Sequence, residues 1–271
     1  NYYFDFNGKM RVGWLSLDGA KYYLKTDGTM AEGWQDITGY RYYFDPTYLL
    51  VLIGLVLSLW AQYMVNSRFK KYSKVRSSRN ITGAEVAERI LRSHGINDVR
   101  VEHIAGKLSD HYDPKNKVLR LSDSTYNSTS VAAIGVAAHE CGHAVQHARG
   151  YVPVRLRSMF VPVANIGSYA SWILIAIGLL FTGSSSQAWL TAGIVCFAAT
   201  VVFHIITLPV EFNASSRAVK VLENDGILYG DEIKGARKVL SAAALTYVAS
   251  AATAILQLLR LIILFGGRDR D

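Results

Sequence analysis

Cysteine is nearly absent from this chain. It has two, Cys141 and Cys196, the first inside an HECGH segment and the second inside an apolar run, so a disulfide framework is not expected. Acidic residues are also scarce beside basic ones, 21 against 29. The basic excess is gathered in short clusters next to apolar runs, which is the pattern of membrane-topology charge. No interleaving of aromatic and basic residues marks a nucleic-acid face, so nucleic acid is not expected as a partner. There is no initiating Met; the chain begins at Asn1, and any preceding signal peptide lies outside the sequence. What is abundant is apolar surface. Hydrophobic residues make up 51% of the 271 residues, and they pile into long runs that point to membrane spans rather than one large soluble core.

The chain opens with a repeat. YYFDFNGKMRVGWLSLDGAK (2–21) is followed by YYLKTDGTMAEGWQDITGYR (22–41), and YYFD begins a third copy, a period of 20. Tyr2, Tyr22 and Tyr42 align, as do Met10 with Met30 and Trp14 with Trp34. A short fixed period with glycine turns and aromatic strands predicts a β-hairpin solenoid, whose units need neighbours to stack on. These repeats resemble the cell-wall-binding repeats of choline-binding and glucan-binding proteins of Gram-positive bacteria. The resemblance implies a wall-polymer partner and an aromatic cage for a quaternary ammonium, held by cation–π attraction. Trp14, Trp34, Tyr22 and Tyr42 are the positions for such a cage; the alternative is that they only pack the solenoid.

Spans are expected at about 47–65, 160–181, 188–208 and 239–265. Arg68, Lys70, Lys71, Lys74, Arg76 and Arg79 follow the first span, whereas only Arg41 lies in the 15 residues before it. By the positive-inside rule the repeats are then outside and residues 68–158 and 209–238 cytoplasmic. Between the first and second spans, ITGAEVAERILRSHGI carries a capping box at Thr82 and Glu85 and predicts a helix. VRVEHIA and LSDHYDPKNKVLRLSD predict strands around an Asp-Pro turn. A helix is expected over 128–150. The second and third spans, joined by GSSSQ, form a membrane hairpin, and LPVEFNASSRAVKVLEN resumes as a separate amphipathic helix after Pro209.

The segment AHECGHAVQH carries the chemistry. Helix positions i and i+4 share a face, so His139 and His143 can offer two imidazoles to one ion. Zinc binds such ligands and, when catalytic, keeps a position for water; Glu140, beside the first histidine, suits the base that takes that water's proton. His147 lies about 12 Å from His139 along a regular helix and cannot join them on one ion. Gln146 and Arg149 occupy the positions where the metzincin pattern requires Gly and His, which excludes that class. A glutamate from a later helix remains. Among Glu211, Glu223 and Glu232, Glu211 is best placed, directly after the third span; the alternative for it is an ordinary first-turn acid.

From about Tyr43 onward the chain resembles the neutral zinc metallopeptidase family of integral membrane proteins known as the YugP family. YFDPTYLL, DHYDP, LRLS, VAAHECGHAVQ, LPVEFNAS, GARKVL and LQLLRLIILF carry the likeness. The family motif and the wall repeat overlap at Tyr42–Asp45, which leaves the origin of the join open. The resemblance implies one catalytic Zn2+ on His139, His143 and Glu211, with the strand near LRLS as the edge that holds an extended substrate. In more distant membrane metallopeptidases an Asp follows the glutamate by four residues and orients a ligand histidine; here Ser215 stands there, so either Ser215 or Asn213 substitutes or the histidine is oriented in another way. Arg217 or His111 could stabilise an oxyanion; an exposed arginine and a surface histidine are the alternative. His94, His103 and His204 are read as structural.

The expectation is therefore a mainly α chain: integral membrane helices, a zincin-like HExxH catalytic helix, a small β edge element and a short N-terminal β-hairpin module. Residues 1–45 would be wall-binding repeats and 46–271 a membrane zinc endopeptidase, multi-pass in a Gram-positive cell membrane. It would cut membrane or membrane-proximal polypeptides on the cytoplasmic side. Two rivals stand beside this: a wall-binding membrane adaptor with an inactive protease-like domain, and a transporter subunit. The spans carry too little charge for the latter.

Overall fold

The structure, a computed structural model, describes residues 10–17, 20–44, 47–181 and 183–266. The chain divides into two compact units, Asn1–Leu52 and Ile53–Asp271.

In the first unit, β1 (Gly13–Leu17) pairs antiparallel with β2 (Ala20–Leu24), and β3 (Gly33–Ile37) with β4 (Tyr40–Phe44). The expected hairpins are thus present twice. The β3–β4 turn holds Thr38 and Gly39 at φ of 49° and 81°, the left-handed pair that a two-residue hairpin turn requires. Leu24, Ala31 and Ile37 are buried and make the small core of this unit.

The second unit holds the rest of α1 (Tyr48–Tyr72), α2 (Gly83–Ser93), β5 (Arg100–Ile104), β6 (His111–Asp113), β7 (Val118–Ser122), α3 (Val131–Ala148), α4 (Val152–Leu180), α5 (Ser184–Asn224) and α6 (Asp231–Phe265). Among the described residues, four helices, α1, α4, α5 and α6, are long and apolar enough to cross a membrane. The capping box at the start of α2 is formed: Thr82 N–H donates to Glu85 Oε2 (2.8 Å) and Glu85 N–H to Thr82 Oγ1 (3.3 Å). The three strands order β5–β7–β6, with β7 parallel to β5 and antiparallel to β6. LRLS is therefore in the central strand, paired on both sides, and not the free edge that the sequence suggested. The edge is β6.

A second difference concerns Pro209. It does not begin a helix; α5 runs unbroken for 41 residues through it. Pro209 removes one backbone donor, a loss that spanning helices tolerate where neighbouring helices and Ser or Thr side chains satisfy the freed groups. Thr207 Oγ1 donates to the Phe203 carbonyl at 2.8 Å in the same turn. At about 1.5 Å per residue α5 is about 60 Å long, twice the ~30 Å of a bilayer's hydrocarbon core. Its C-terminal part must therefore extend beyond the membrane.

That part of α5 packs on α3. Val86, Ile90, Leu119, Leu121, Ile134, Ala137, Cys141, Leu222 and Leu228 form one buried core shared by α2, β7, α3, α5 and the segment that follows α5. The run VAAIGVAA makes α3 slim enough to be surrounded on several sides; every residue from Val131 to Ala138 except Val136 is buried. The α4–α5 hairpin closes through small residues at close approaches, Gly167 against the Cys196 carbonyl and Gly193 against that of Ser171.

Candidate metal centre

The site begins at the start of α3. Ser130 caps the helix, its Oγ accepting from Ala133 N–H at 3.2 Å, and two and a half turns later His139 and His143 emerge on one face. Their ring centroids are 4.8 Å apart and nearly perpendicular. Between them is Gly142. A Cβ at this position would lie 2.7 Å from the Ala214 carbonyl oxygen of α5, so only glycine allows the two helices this close. Glu211, one turn before Ala214, thereby comes to face both imidazoles.

Glu211 Oε2 lies 3.3 Å from His139 Nε2 and 3.5 Å from His143 Nε2. The three groups offer ligand atoms all within 4.8 Å of one another. Glu211 is 2% exposed, yet Oε2 makes no hydrogen bond. An orphaned buried carboxylate oxygen facing two imidazole nitrogens is the arrangement a cation completes. Zinc bonds of about 2.0–2.1 Å in a tetrahedron place neighbouring ligand atoms roughly 3.3–3.4 Å apart, a spacing that the two Glu211–imidazole distances match, so this donor set fits the ion.

The distal nitrogens are held as well. Ser215 Oγ lies 3.1 Å from His139 Nδ1, and Gln146 Oε1 lies 3.0 Å from His143 Nδ1. Gln146 Nε2 donates to the Val210 carbonyl (2.8 Å) and to Asn213 Oδ1 (3.0 Å), which also accepts from Arg217 Nε (2.7 Å). Since Gln146 spends its amide N–H groups on two oxygens, its Oε1 must face His143 and accept from Nδ1–H. That fixes the tautomer with the Nε2 lone pair toward Glu211. The alternative between Ser215 and Asn213 resolves into both: Ser215 acts on His139, and Asn213 on His143 through Gln146.

Residues 47–266 match the family described as "Putative neutral zinc metallopeptidase". The chain belongs to this family. It is 48% identical over 223 residues to "Putative membrane protease YugP" of Bacillus subtilis (strain 168), covering 82% of this chain and 98% of that protein. Residues 12–30 match a "Putative cell wall binding repeat". No solved structure matches the chain.

Within this metallopeptidase chain, Glu140 projects beside the ligand face into a cavity of ≈ 320 Å³ lined also by His111, Tyr112, His143, Arg157 and Tyr247. Its Oε2 accepts from Tyr112 N–H of β6 at 3.0 Å. His147, set aside on helix geometry, instead has Nδ1 3.0 Å from Tyr112 Oη. Burial disfavours the charged form of His143, but the Glu211 and Glu140 carboxylates outweigh it and leave its pKa raised. Burial pushes the Cys141 thiol well up, so it stays protonated and offers no thiolate to a metal.

Of the two oxyanion candidates, His111 lines this cavity, whereas Arg217 turns to Asn213 and lines a different cavity with His94. The sequence reading missed Arg157 of α4, whose Nη1 donates to Glu211 Oε1 at 2.9 Å. A charged residue at the mouth of a span was its only signal. His94 Nδ1 sits 2.9 Å from the Ile90 carbonyl and His103 Nε2 2.7 Å from Asp123, consistent with structural roles.

In the repeats, Trp14 pairs in register with Tyr23, ring centroids 5.4 Å apart, while Tyr22 opposes Leu15. Directly opposed residues share a face and successive ones alternate, so Trp14 and Tyr22 lie on opposite faces of their hairpin. Trp34 pairs with Tyr43 and Tyr42 with Gln35 along the backbone. The side chains of Trp34 and Tyr42 lie outside the described residues.

Proposed function

We propose that this chain is a membrane-embedded zinc endopeptidase that holds one ion on His139, His143 and Glu211 and uses Glu140 as its base. The observation carrying the proposal is the buried Glu211 Oε2, without a hydrogen bond and facing two imidazoles whose outer nitrogens are already engaged. Bound there, zinc would supply Lewis acidity, lowering the pKa of water and polarising a carbonyl. Glu140 then accepts the proton of the attacking water and delivers it to the leaving amine nitrogen. Arg157, with guanidinium N–H groups beyond the one given to Glu211, and Tyr247 line the cavity where the carbonyl oxygen gains charge. A polypeptide would lie extended beside β6, the edge strand, and take over the Tyr112 N–H.

The substrate class follows from position. Glu211 is 27 residues into α5 (211 − 184), about 40 Å from its start and so beyond a ~30 Å hydrocarbon core. The cavity accordingly meets membrane or membrane-proximal polypeptides at the interface. The basic residues after the first span favour the cytoplasmic side for it, and the outside for residues 1–45 as a wall tether on a Gram-positive cell.

Metal analysis tests the assignment. Glu211→Gln should lose zinc, whereas Glu140→Gln should keep it and lose peptide cleavage by about 10²–10⁴-fold. Full zinc in the Glu211 variant would sink the ligand assignment. Full cleavage in the Glu140 variant would sink the base.

A further inference from the structure

On the face of α5 away from the Glu211 cavity, a second groove runs against α6. Two cavities of ≈ 570 and ≈ 580 Å³ form it and adjoin at Glu223 and Arg237, which line both. Its wall changes character along its length. One end is Phe212 of α5 with Leu245 and Val248 of α6. The other gathers Lys220, Lys234, Arg237 and Lys238, with Glu223 the one acid in the lining. Eleven residues separate Phe212 from Glu223 on α5 and Arg237 from Val248 on α6 (223 − 212; 248 − 237), so both antiparallel helices make the change over about 16 Å.

This gradient is aligned with the membrane. The apolar end lies toward the apolar runs of two helices that are each able to cross a bilayer, and the cationic end lies where those runs stop. Phe212 and Val248 remain 48% and 38% exposed. Among the described residues, Lys234 is held by Asp231 at 2.8 Å, while no hydrogen bond or ion pair engages Lys220 or Arg237. A soluble anion has no use for the apolar end. A neutral apolar span leaves the cations unmatched. A molecule with a phosphate at one end and a hydrocarbon chain at the other satisfies both, and anionic leaflets concentrate such molecules beside basic pockets between spanning helices.

We propose that the α5–α6 groove is a binding site for one anionic phospholipid, its phosphate at Lys220 and Arg237 and an acyl chain leading past Phe212 along Leu245 and Val248 into the hydrocarbon core. The site depends on the helices crossing the membrane, not on the peptidase reading. It backs onto the candidate metal centre, because Ser215 lines the groove while its Oγ contacts His139 Nδ1 at 3.1 Å.

Native mass spectrometry of the full chain released from detergent tests this, with phosphatidylglycerol and phosphatidylcholine offered in equal amounts. One phosphatidylglycerol should be retained with a preference of about tenfold or more. Lys220→Ala with Arg237→Ala should remove the preference. Ser241→Trp, which fills the groove and leaves both charges, should remove retention of the lipid and decides the matter if the double variant fails to fold. Lys70→Ala with Lys71→Ala, in the last turn of α1, should change nothing. Equal retention of the two lipids, or a preference untouched by filling the groove, would overturn the proposal. So would displacement by inorganic phosphate alone, or crosslinking from Ser216 that captures a polypeptide instead of lipid.

Discussion

Two consecutive helices, α3 and α4, are both rich in apolar residues and meet opposite surroundings. In α3 the apolar side chains are mostly small and almost wholly buried, and the larger Ile134 and Val131 are buried with them. In α4 they are large and turned outward, with Ile166 70% and Tyr169 75% exposed. The first pattern is that of a helix enclosed by protein. The second is that of a helix whose solvent is hydrocarbon, where outward apolar surface costs nothing. The candidate metal centre joins the two regimes. His139 and His143 come from the enclosed helix, and Glu211 from a spanning helix where it leaves the membrane.

That contrast can be broken by mutation, and the largest effect should come from its centre. Ile134→Ala leaves a cavity in a dense core and should cost about 2–5 kcal/mol, whereas Ile166→Ala, facing lipid, should stay within about 0.5 kcal/mol; thermal unfolding in one detergent compares them. Similar losses would show that α4 is enclosed too.

Gly142→Val should be next. Its side chain meets the Ala214 carbonyl, a backbone atom that cannot swing aside, so overpacking of about 1–3 kcal/mol is expected. Zinc content should fall with it, since Glu211 is carried away from the imidazoles. A variant with unchanged metal content would show that the helix contact does not set the site.

A smaller effect separates ligand from support. Ser215→Ala should weaken zinc binding about 10–100-fold, read by competition with a chelator, and leave the fold's unfolding temperature nearly unchanged.

The smallest is in the sheet. Asn116, Arg120 and the Lys115 N–H hold the half-buried Asp113 carboxylate down at about 2. A depressed folded pKa stabilises above the unfolded value near 4 and is lost as pH falls toward about 2. Asp113→Asn should therefore flatten the acid limb of the stability profile in that window and slightly lower stability at neutral pH, where the carboxylate's contribution is complete.

The sequence showed clearly what is local. The capping box of α2, the turns of the hairpins and the shared face of His139 and His143 depend on residues a few positions apart. Glu211 was legible as a ligand candidate because so few acids follow the hairpin. Its setting inside an unbroken α5 was not, because Pro209 reads as a boundary unless a neighbouring helix is known to compensate for it. Strand order was equally hidden: alternation in LRLS says that the strand is half-buried, and not that β5 and β6 take both of its sides. The Arg157–Glu211 pair spans two helices of the hairpin and leaves no local pattern at all. The exclusion of His147 needed only the rise of a helix.

The two oxygens of Glu211 have different fates, Oε1 given to Arg157 and Oε2 turned to the imidazoles. An acid this deep would normally be a burden to a newly made chain, which must fold and insert before any metal reaches it. Here the burden is already balanced by a permanent counter-ion, so assembly and metal loading are separable events. On the proposed zinc reading, the socket would be built early and filled late, and would lose its ion to a chelator and accept another without first collapsing.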